Sequence, residues 1–340
     1  QENRQFWKRG VKMNKMQSAK RYGAAIGSIA LYLLISALYK GEYIYTVLQQ
    51  ICCFFVAVMG INFITGMTGQ PMMGAAGVLA IGAYTTGILS SYGWNPFWAL
   101  IPVILISALI GVGLGYPSLR LSGVYLSFTT IAFSEIVRIF ATNLTGLTGG
   151  ATGIKNIPTY RLFGYMFASS KDKLLVYVVL CIILALLADR IIHSQWGRSL
   201  LAVRDNIDTV PACGINVTYV KVIAFCLCTV YCGIAGSMYA HMNNYINSLT
   251  FTQTMSIKVL SMLVLGGMGS VAGCFVGTVL IVIFPEMLRF LGQYYELVYT
   301  IIMMLVIIFL PGGLVNVFGS KKLSRKESWK RLRDIFIGRT

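Results

Sequence analysis

Side chains able to do chemistry are few and scattered in this 340-residue chain. It has two histidines, His193 and His241, and neither falls into a Ser-His-acid set or a metal-ligand spacing. Of the eight cysteines, Cys52, Cys53, Cys181, Cys226, Cys228, Cys232 and Cys274 lie in apolar runs, and Cys213 in a polar loop. With no CxxC or Cys/His spacing they read as small packing residues, not as a zinc site or a disulfide framework. No glycine is followed by lysine, so the GxxxxGK[ST] loop that cradles ATP is missing. Two Asn-x-Thr sequons, at Asn143 and Asn216, are short enough to arise by chance. No catalytic residue, metal or cofactor is expected on this chain.

A second group of residues is unusual for where it stands. Glu135, Arg138, Lys258, Glu286 and Arg289 interrupt apolar runs. A charge at mid-membrane costs at least about 2.5–3.5 kcal/mol on insertion scales, so each needs a partner or water. Glu135-x-x-Arg138 and Glu286-x-x-Arg289 share an i,i+3 spacing, which puts both charges on one helix face. Two readings stay open: self-paired residues snorkelling to the interface, or an outer gate or docking ring for a partner protein.

The elements that carry these residues are set by composition. Apolar residues make up 56% of the chain and charged residues 11%, with a mean hydropathy of +0.72. Ordinary soluble domains carry roughly 25% charged residues, so most of this chain belongs in lipid. That excludes a cytosolic enzyme, a secreted disulfide scaffold and a disordered tail protein. The formal charge of +17 is concentrated at the ends. Seven basic residues lie in the first 21 positions and eight in the last 20, together more than half of the 28 Lys and Arg. This is the positive-inside pattern, and both tails are expected in the cytosol. No aromatic-rich basic groove accompanies the charge, so no nucleic-acid partner is expected. The first apolar run lacks a small-residue cleavage site and reads as an uncleaved span.

Windows of about 20 residues place spans at 22–39, 44–65, 72–92, 97–116, 123–142, 174–192 and 220–241, two more joined near Gly266-Gly-Met-Gly-Ser270, and a tenth at 298–314. The expected fold is an all-α integral membrane protein of about ten transmembrane helices, with both termini cytosolic. A basic N-terminal tail (1–21) and C-terminal tail (317–340) flank a transmembrane body (22–316), with an outer loop at 143–172 and an inner loop at 193–219. Ten is even, which agrees independently with two basic tails on one side. In the C-terminal tail, Leu323, Trp329, Leu332 and Phe336 can share a helical face beside basic residues, which suits a membrane-lipid surface. Three stretches are too glycine-rich for simple spans: 66–70, 148–153 and 266–273. Irregular backbone at membrane depth survives only when buried in protein or lining a wet cavity. Their joint occurrence points to helices broken around a pathway.

The inner loop carries the most informative pattern, Gly197-Arg-Ser-Leu-Leu-Ala-Val-Arg-Asp-Asn-Ile-Asp-Thr-Val-Pro-Ala-Cys-Gly-Ile-Asn216. It is polar enough for the cytosol, yet its apolar residues predict short packed helices. Pro211 fits the first turn of one, capped by Asp208 and ended by Gly214. A soluble motor could grip such a loop.

This loop resembles that of the branched-chain amino acid ABC importer permeases of the LivM type, which reads roughly G-R-A-L-x-A-I-R-E-N-x-x-A-A-x-A-L-G-I-N. Gly197, Arg198, Leu200, Ala202, Arg204, Asp205, Asn206, Ala212, Gly214, Ile215 and Asn216 keep that register. Four further segments match in order: Gly69-Gln70 through Gly82-Ala-Tyr84, Leu147 to Gly150 with Gly153-Ile154, Gly236 to His241, and Leu265 to Ser270 with Gly273. The resemblance covers about residues 45–316. Departures include Met72 and Ala75 where Ser and His are usual, Thr209-Val210-Pro211 in the loop, Lys258 for an acid, Cys274 for proline, and a closing 311–314 segment without its arginine.

The resemblance implies a multi-pass subunit of the bacterial cytoplasmic (inner) membrane, importing branched-chain or other hydrophobic amino acids. It implies as partners a homologous permease, two ATPase subunits that carry ATP and Mg, and an extracytoplasmic substrate-binding protein. Arg198, Arg204, Asp205, Asn206 and Gly214 would couple to the ATPase, whose groove would bury Ile207, Val210 and Ile215. Gly69, Gln70, Gly149, Gly150, Glu135, Arg138, Glu286 and Arg289 are the candidates for a pathway or gate. The rivals are a permease of the same architecture for urea, a sugar or a nucleoside, an ion-coupled secondary transporter, and a membrane enzyme. Scarce intramembrane acids argue against ion coupling.

Overall fold

The computed structural model describes residues 42–288, apart from 118–120, 122, 163–164 and 168, and a few isolated positions up to 304. The first expected span, most of the tenth, both tails, Arg120, Arg289 and segment 311–314 lie outside the described residues.

Among the described residues ten helices follow one another: α1 (Glu42–Ile61), α2 (Ala75–Ser91), α3 (Pro96–Gly115), α4 (Val124–Asn143), the single turn α5 (Thr145–Thr148), α6 (Ser170–Ile192), α7 (Gln195–Asp205), α8 (Val217–Asn243), α9 (Gln253–Gly266) and α10 (Val271–Met287). Several start where the chain supplies a cap. Asn95 Oδ1 accepts from Phe97 N–H ahead of Pro96, Ser194 precedes α7, Asn216 precedes α8, and Ser270 Oγ accepts from Gly273 N–H. Each side chain satisfies an amide that the first helical turn leaves unpaired.

Helix α8 is the axis of the described bundle and packs against α1, α2 and α3. Apolar residues of α1 from Phe54 to Ile64 are buried, and so are Ala235, Met238 and Ala240 of α8. The contact of α2 with α8 depends on missing side chains. A β-carbon on Gly82 would lie 2.1 Å from the Gly233 carbonyl oxygen, and one on Gly236 2.0 Å from that of Leu79. With no hydrophobic force between helices in lipid, such close backbone packing is what holds them.

Five segments among the described residues are long and apolar enough to cross a membrane: 42–66, α3, α4, α6 and α8. Helices α2, α9 and α10 are apolar but shorter. These eight stand where spans two to nine were expected, and α2, α9 and α10 are shorter than a full span. At 14 residues, α9 is about 21 Å long, less than the roughly 30 Å hydrocarbon layer. The span expected from 72 starts at Ala75 because the chain stays irregular through Gly74.

The stretch 143–172, expected as a loop, is structured. It holds α5, a 3-10 turn (Gly150–Thr152) and strands β1 (Ile154–Lys155), β2 (Arg161–Leu162) and β3 (Tyr165–Met166). Strand β1 pairs antiparallel with β4 (Tyr245–Ile246), Ile154 opposite Ile246, while β2 pairs with β3. Two-residue strands carry no periodic signal, so only the fold brings them together.

Candidate functional site

The first glycine break begins inside α1. After Ile61 the helix widens into a π turn, Asn62–Gly66, and Met67 N–H reaches back to the Asn62 carbonyl at 2.9 Å. The chain then leaves the helix, and Gly69 adopts φ +71°, a conformation that suits glycine. Three hydroxyls from three elements meet the amides at the start of α2. Thr65 Oγ1 accepts from Met72 N–H (3.3 Å), Thr130 Oγ1 of α4 from Met73 N–H (3.1 Å), and Ser256 Oγ of α9 from Ala76 N–H (2.9 Å). These residues were missed in the sequence. The signal was available, since small hydroxyls inside apolar spans must find partners in lipid. Gln70 is buried, and Met72 packs against the Cys228 thiol at 3.4 Å.

The second break, 266–270, lies against the first. Asn62 Oδ1 accepts from Gly269 N–H at 2.7 Å, and a β-carbon on Gly66 would sit 3.0 Å from Gly269 N. Residues 200 positions apart thus form one irregular patch between α1, α2, α9 and α10.

The 193–219 loop closes over this patch. Helix α7 buries Gly197, Leu200 and Val203 and leaves Arg198, Leu201 and Asp205 exposed. Trp196 packs on Tyr219 with ring centroids 5.7 Å apart, which ties α7 to the start of α8. Arg204 follows Leu200 by four positions and turns inward. Its Nη1 donates to the Gly66 carbonyl at 2.6 Å, and its Cγ would lie 3.1 Å from a Gly69 β-carbon. Its guanidinium thus reaches the bundle, while the residue stays exposed, as Arg198 and Asp205 are. Asn206 is exposed and accepts from Asp208 N–H (3.1 Å) in a tight turn. The short helix expected at Pro211 is a 3-10 turn, Val210–Cys213. It is preceded by Thr209 and not capped by Asp208, because Asp208 already belongs to the Asn206 turn. Gly214 ends it at φ +75° with nothing near its missing side chain. Val210 is buried in the protein's own core and Ile215 packs against it, so of three apolar residues expected to face a partner only Ile207, 41% exposed, remains available.

The other candidates lie elsewhere. Gly149 and Gly150 follow α4, where Thr148 Oγ1 donates to the Ala141 carbonyl (2.7 Å) and Thr142 Oγ1 donates to Ser248 Oγ (3.0 Å). Twelve residues of α4 separate Thr130 from Thr142, about 18 Å, so this cluster is at the other end of the bundle from Gly69. Glu135 and Arg138 are paired to each other through two hydrogen-bonding nitrogens, with Nε at 3.0 Å. Their face of α4 also exposes Phe128, Ile136 and Ile139. Tyr43 OH donates to Glu286, whose expected partner Arg289 is outside the described residues. Lys258 Nζ stands 5.2 Å from the Phe54 ring centre. Each cysteine among the described residues is a free thiol, and several donate to carbonyls of neighbouring helices, such as Cys53 to Ala235 at 3.0 Å. Among the described residues no three metal-ligating side chains cluster.

Two irregular breaks under an amphipathic inner helix, in an apolar helical body, are what a permease needs. Residues 43–310 match the family described as the permease component of branched-chain amino acid transport systems. The chain belongs to this family. It is similar to the high-affinity branched-chain amino acid transport system permease protein LivM of Salmonella typhimurium, 32% identical over 286 residues, 77% of this chain and 67% of the relative. Identity to the Escherichia coli protein of that name is 31% over the same length and shares. The probable branched-chain amino acid transport permease protein LivM of Methanocaldococcus jannaschii is 25% identical over 310 residues, 84% of each chain. No solved structure matches the chain. The permease is thus a multi-pass membrane protein and a transport component, and α7 is the inner-loop helix whose pattern carried the resemblance.

Proposed function

We propose that this permease is the membrane-spanning subunit of an ATP-driven importer for branched-chain or other hydrophobic amino acids in a bacterial cytoplasmic membrane. It pairs with a homologous permease, takes substrate from an extracytoplasmic binding protein, and is driven by two ATPase subunits that bind ATP and Mg. It hydrolyses nothing itself. Both tails and α7 face the cytosol, and 143–172 faces outward.

The observation that carries this reading is the seating of α7. One face is packed on the bundle, while Arg198, Leu201, Asp205, Asn206, Ile207 and Gly214 stay exposed together at its rim. An apolar centre with charged residues around it suits a groove on a soluble subunit, where the charges fix orientation. The candidates for the pathway or a gate are Gly149 and Gly150, Glu135, Arg138 and Glu286, and Gly69 and Gln70.

Co-purification with the ATPase encoded beside it tests the reading. Gly214 replaced by tryptophan, or Arg198 and Asp205 both reversed in charge, should lower the yield of bound ATPase at least about five-fold. Wild-type yield in both variants would make the loop a passive linker.

A further inference from the structure

We infer that Arg204 and Asn62 form a two-bond latch that transmits movement of α7 to both glycine breaks at once. Arg204, exposed on α7 yet bonded to the bundle, is thereby a positioning residue within the permease. The inference rests on the importer reading above and assigns a role to Asn62, which nothing in the sequence singled out.

The carbonyl of Gly66 ends the π turn, where a helix leaves its last carbonyls without intrahelical partners and carries the negative end of its dipole. The guanidinium of Arg204 fills that position at 2.6 Å. Asn62 sits four residues earlier in the same turn, 1% exposed, and holds Gly269 N–H at 2.7 Å. The order of contact is therefore α7, Gly66, Asn62, Gly269, then α9 and α10. Widened π turns are soft points of a helix and recur at functional sites. A pull on Gly66 deforms the turn, and the buried Asn62 amide carries that deformation to the second break. Moving Asn62 without Gly269 would leave the buried Asn62 oxygen and the half-buried Gly269 N–H unpaired, so the two breaks move together.

A simple helix cap would lose stability when removed but would leave ATP use tied to transport. The latch predicts the opposite split. Arg204→Met keeps the stem that lies on Gly69 and removes the donor. Asn62→Ala removes the acceptor. In complexes purified with their ATPase, both variants should co-purify as the wild type does. Stimulation of ATP hydrolysis by leucine-loaded binding protein should fall at least about five-fold, within the range typical of coupling between sites. Combining them should add little, since either break opens the same chain. Arg204→Lys, which can still donate to the carbonyl, should recover part of the stimulation. Arg204→Met remains a full test if Asn62→Ala fails to fold, because Arg204 is exposed enough to tolerate change.

Wild-type stimulation in Arg204→Met would overturn the latch. Loss of ATPase binding in Arg204→Met, with Asn62→Ala unaffected, would also overturn it and return Arg204 to the partner interface. A wild-type chain that captures no ATPase would instead refute the importer reading, and the latch with it.

Discussion

His241 Nδ1 lies 2.9 Å from the Pro158 carbonyl oxygen. A carbonyl only accepts, so the proton sits on Nδ1, and this bond joins the end of α8 to the outer segment. The ring is fully buried and packs on Tyr160 with centroids 4.7 Å apart. Replacing His241 by alanine removes the donor and leaves a gap beside Tyr160. Thermal unfolding in detergent should show a loss of about 1–3 kcal/mol. A melting curve equal to wild type would mean that the segment is held by its other bonds, among them the β1–β4 pair and Asn95 Nδ2 donating to the Arg161 carbonyl.

The α2–α8 contact predicts a contrast between two glycines. Gly236→Ala places a carbon 2.0 Å from the Leu79 carbonyl oxygen, whereas Gly113 on α3 has nothing within 4 Å. Overpacking of this kind costs about 1–3 kcal/mol, so Gly236→Ala should melt earlier. Gly113→Ala should match or exceed wild type, since alanine is the better helix former. Equal effects at both positions would contradict the packing described for α8.

Much of the fold was legible because it rests on length and hydropathy. Helices α3, α6 and α8 follow apolar runs, and Gly214 marked a stop. Gly197, Leu200 and Arg204 recur at i, i+3 and i+7, which turns the Arg204 side chain toward the bundle. Its bond to Gly66 was not legible, because it spans 138 positions. The π turn was not legible, because one extra residue in a turn leaves the apolar pattern of Phe54 to Ile64 unchanged. Nor was Asn62 holding Gly269, a pairing across 207 positions that only the folded bundle creates.

The Glu135–Arg138 pair predicts an asymmetry between single and double variants. Neutralising Arg138 alone, as Arg138→Gln, strands a carboxylate on an apolar helix at about 2.5–3.5 kcal/mol. Its level in the membrane should fall. Adding Glu135→Gln should restore the level, while uptake stays below wild type if the pair lines the pathway. Normal levels in Arg138→Gln would show that the carboxylate has another partner or water.

The orientation can be read from thiols. A cysteine at position 155, in β1, should react with an impermeant reagent in intact cells, while the exposed native Cys213 and a cysteine at 326 should react only after lysis. The reverse pattern would invert the topology and remove α7 from the cytosol.

The central claim is ATP-driven import of hydrophobic amino acids. Its most direct test is uptake by proteoliposomes holding the complete complex, with labelled leucine, urea and ribose presented in turn with binding protein. Leucine should accumulate only when ATP is supplied on the side of α7, and urea and ribose should not. Accumulation of urea or ribose in place of leucine would contradict the substrate assignment, and leucine uptake without ATP would contradict the mechanism.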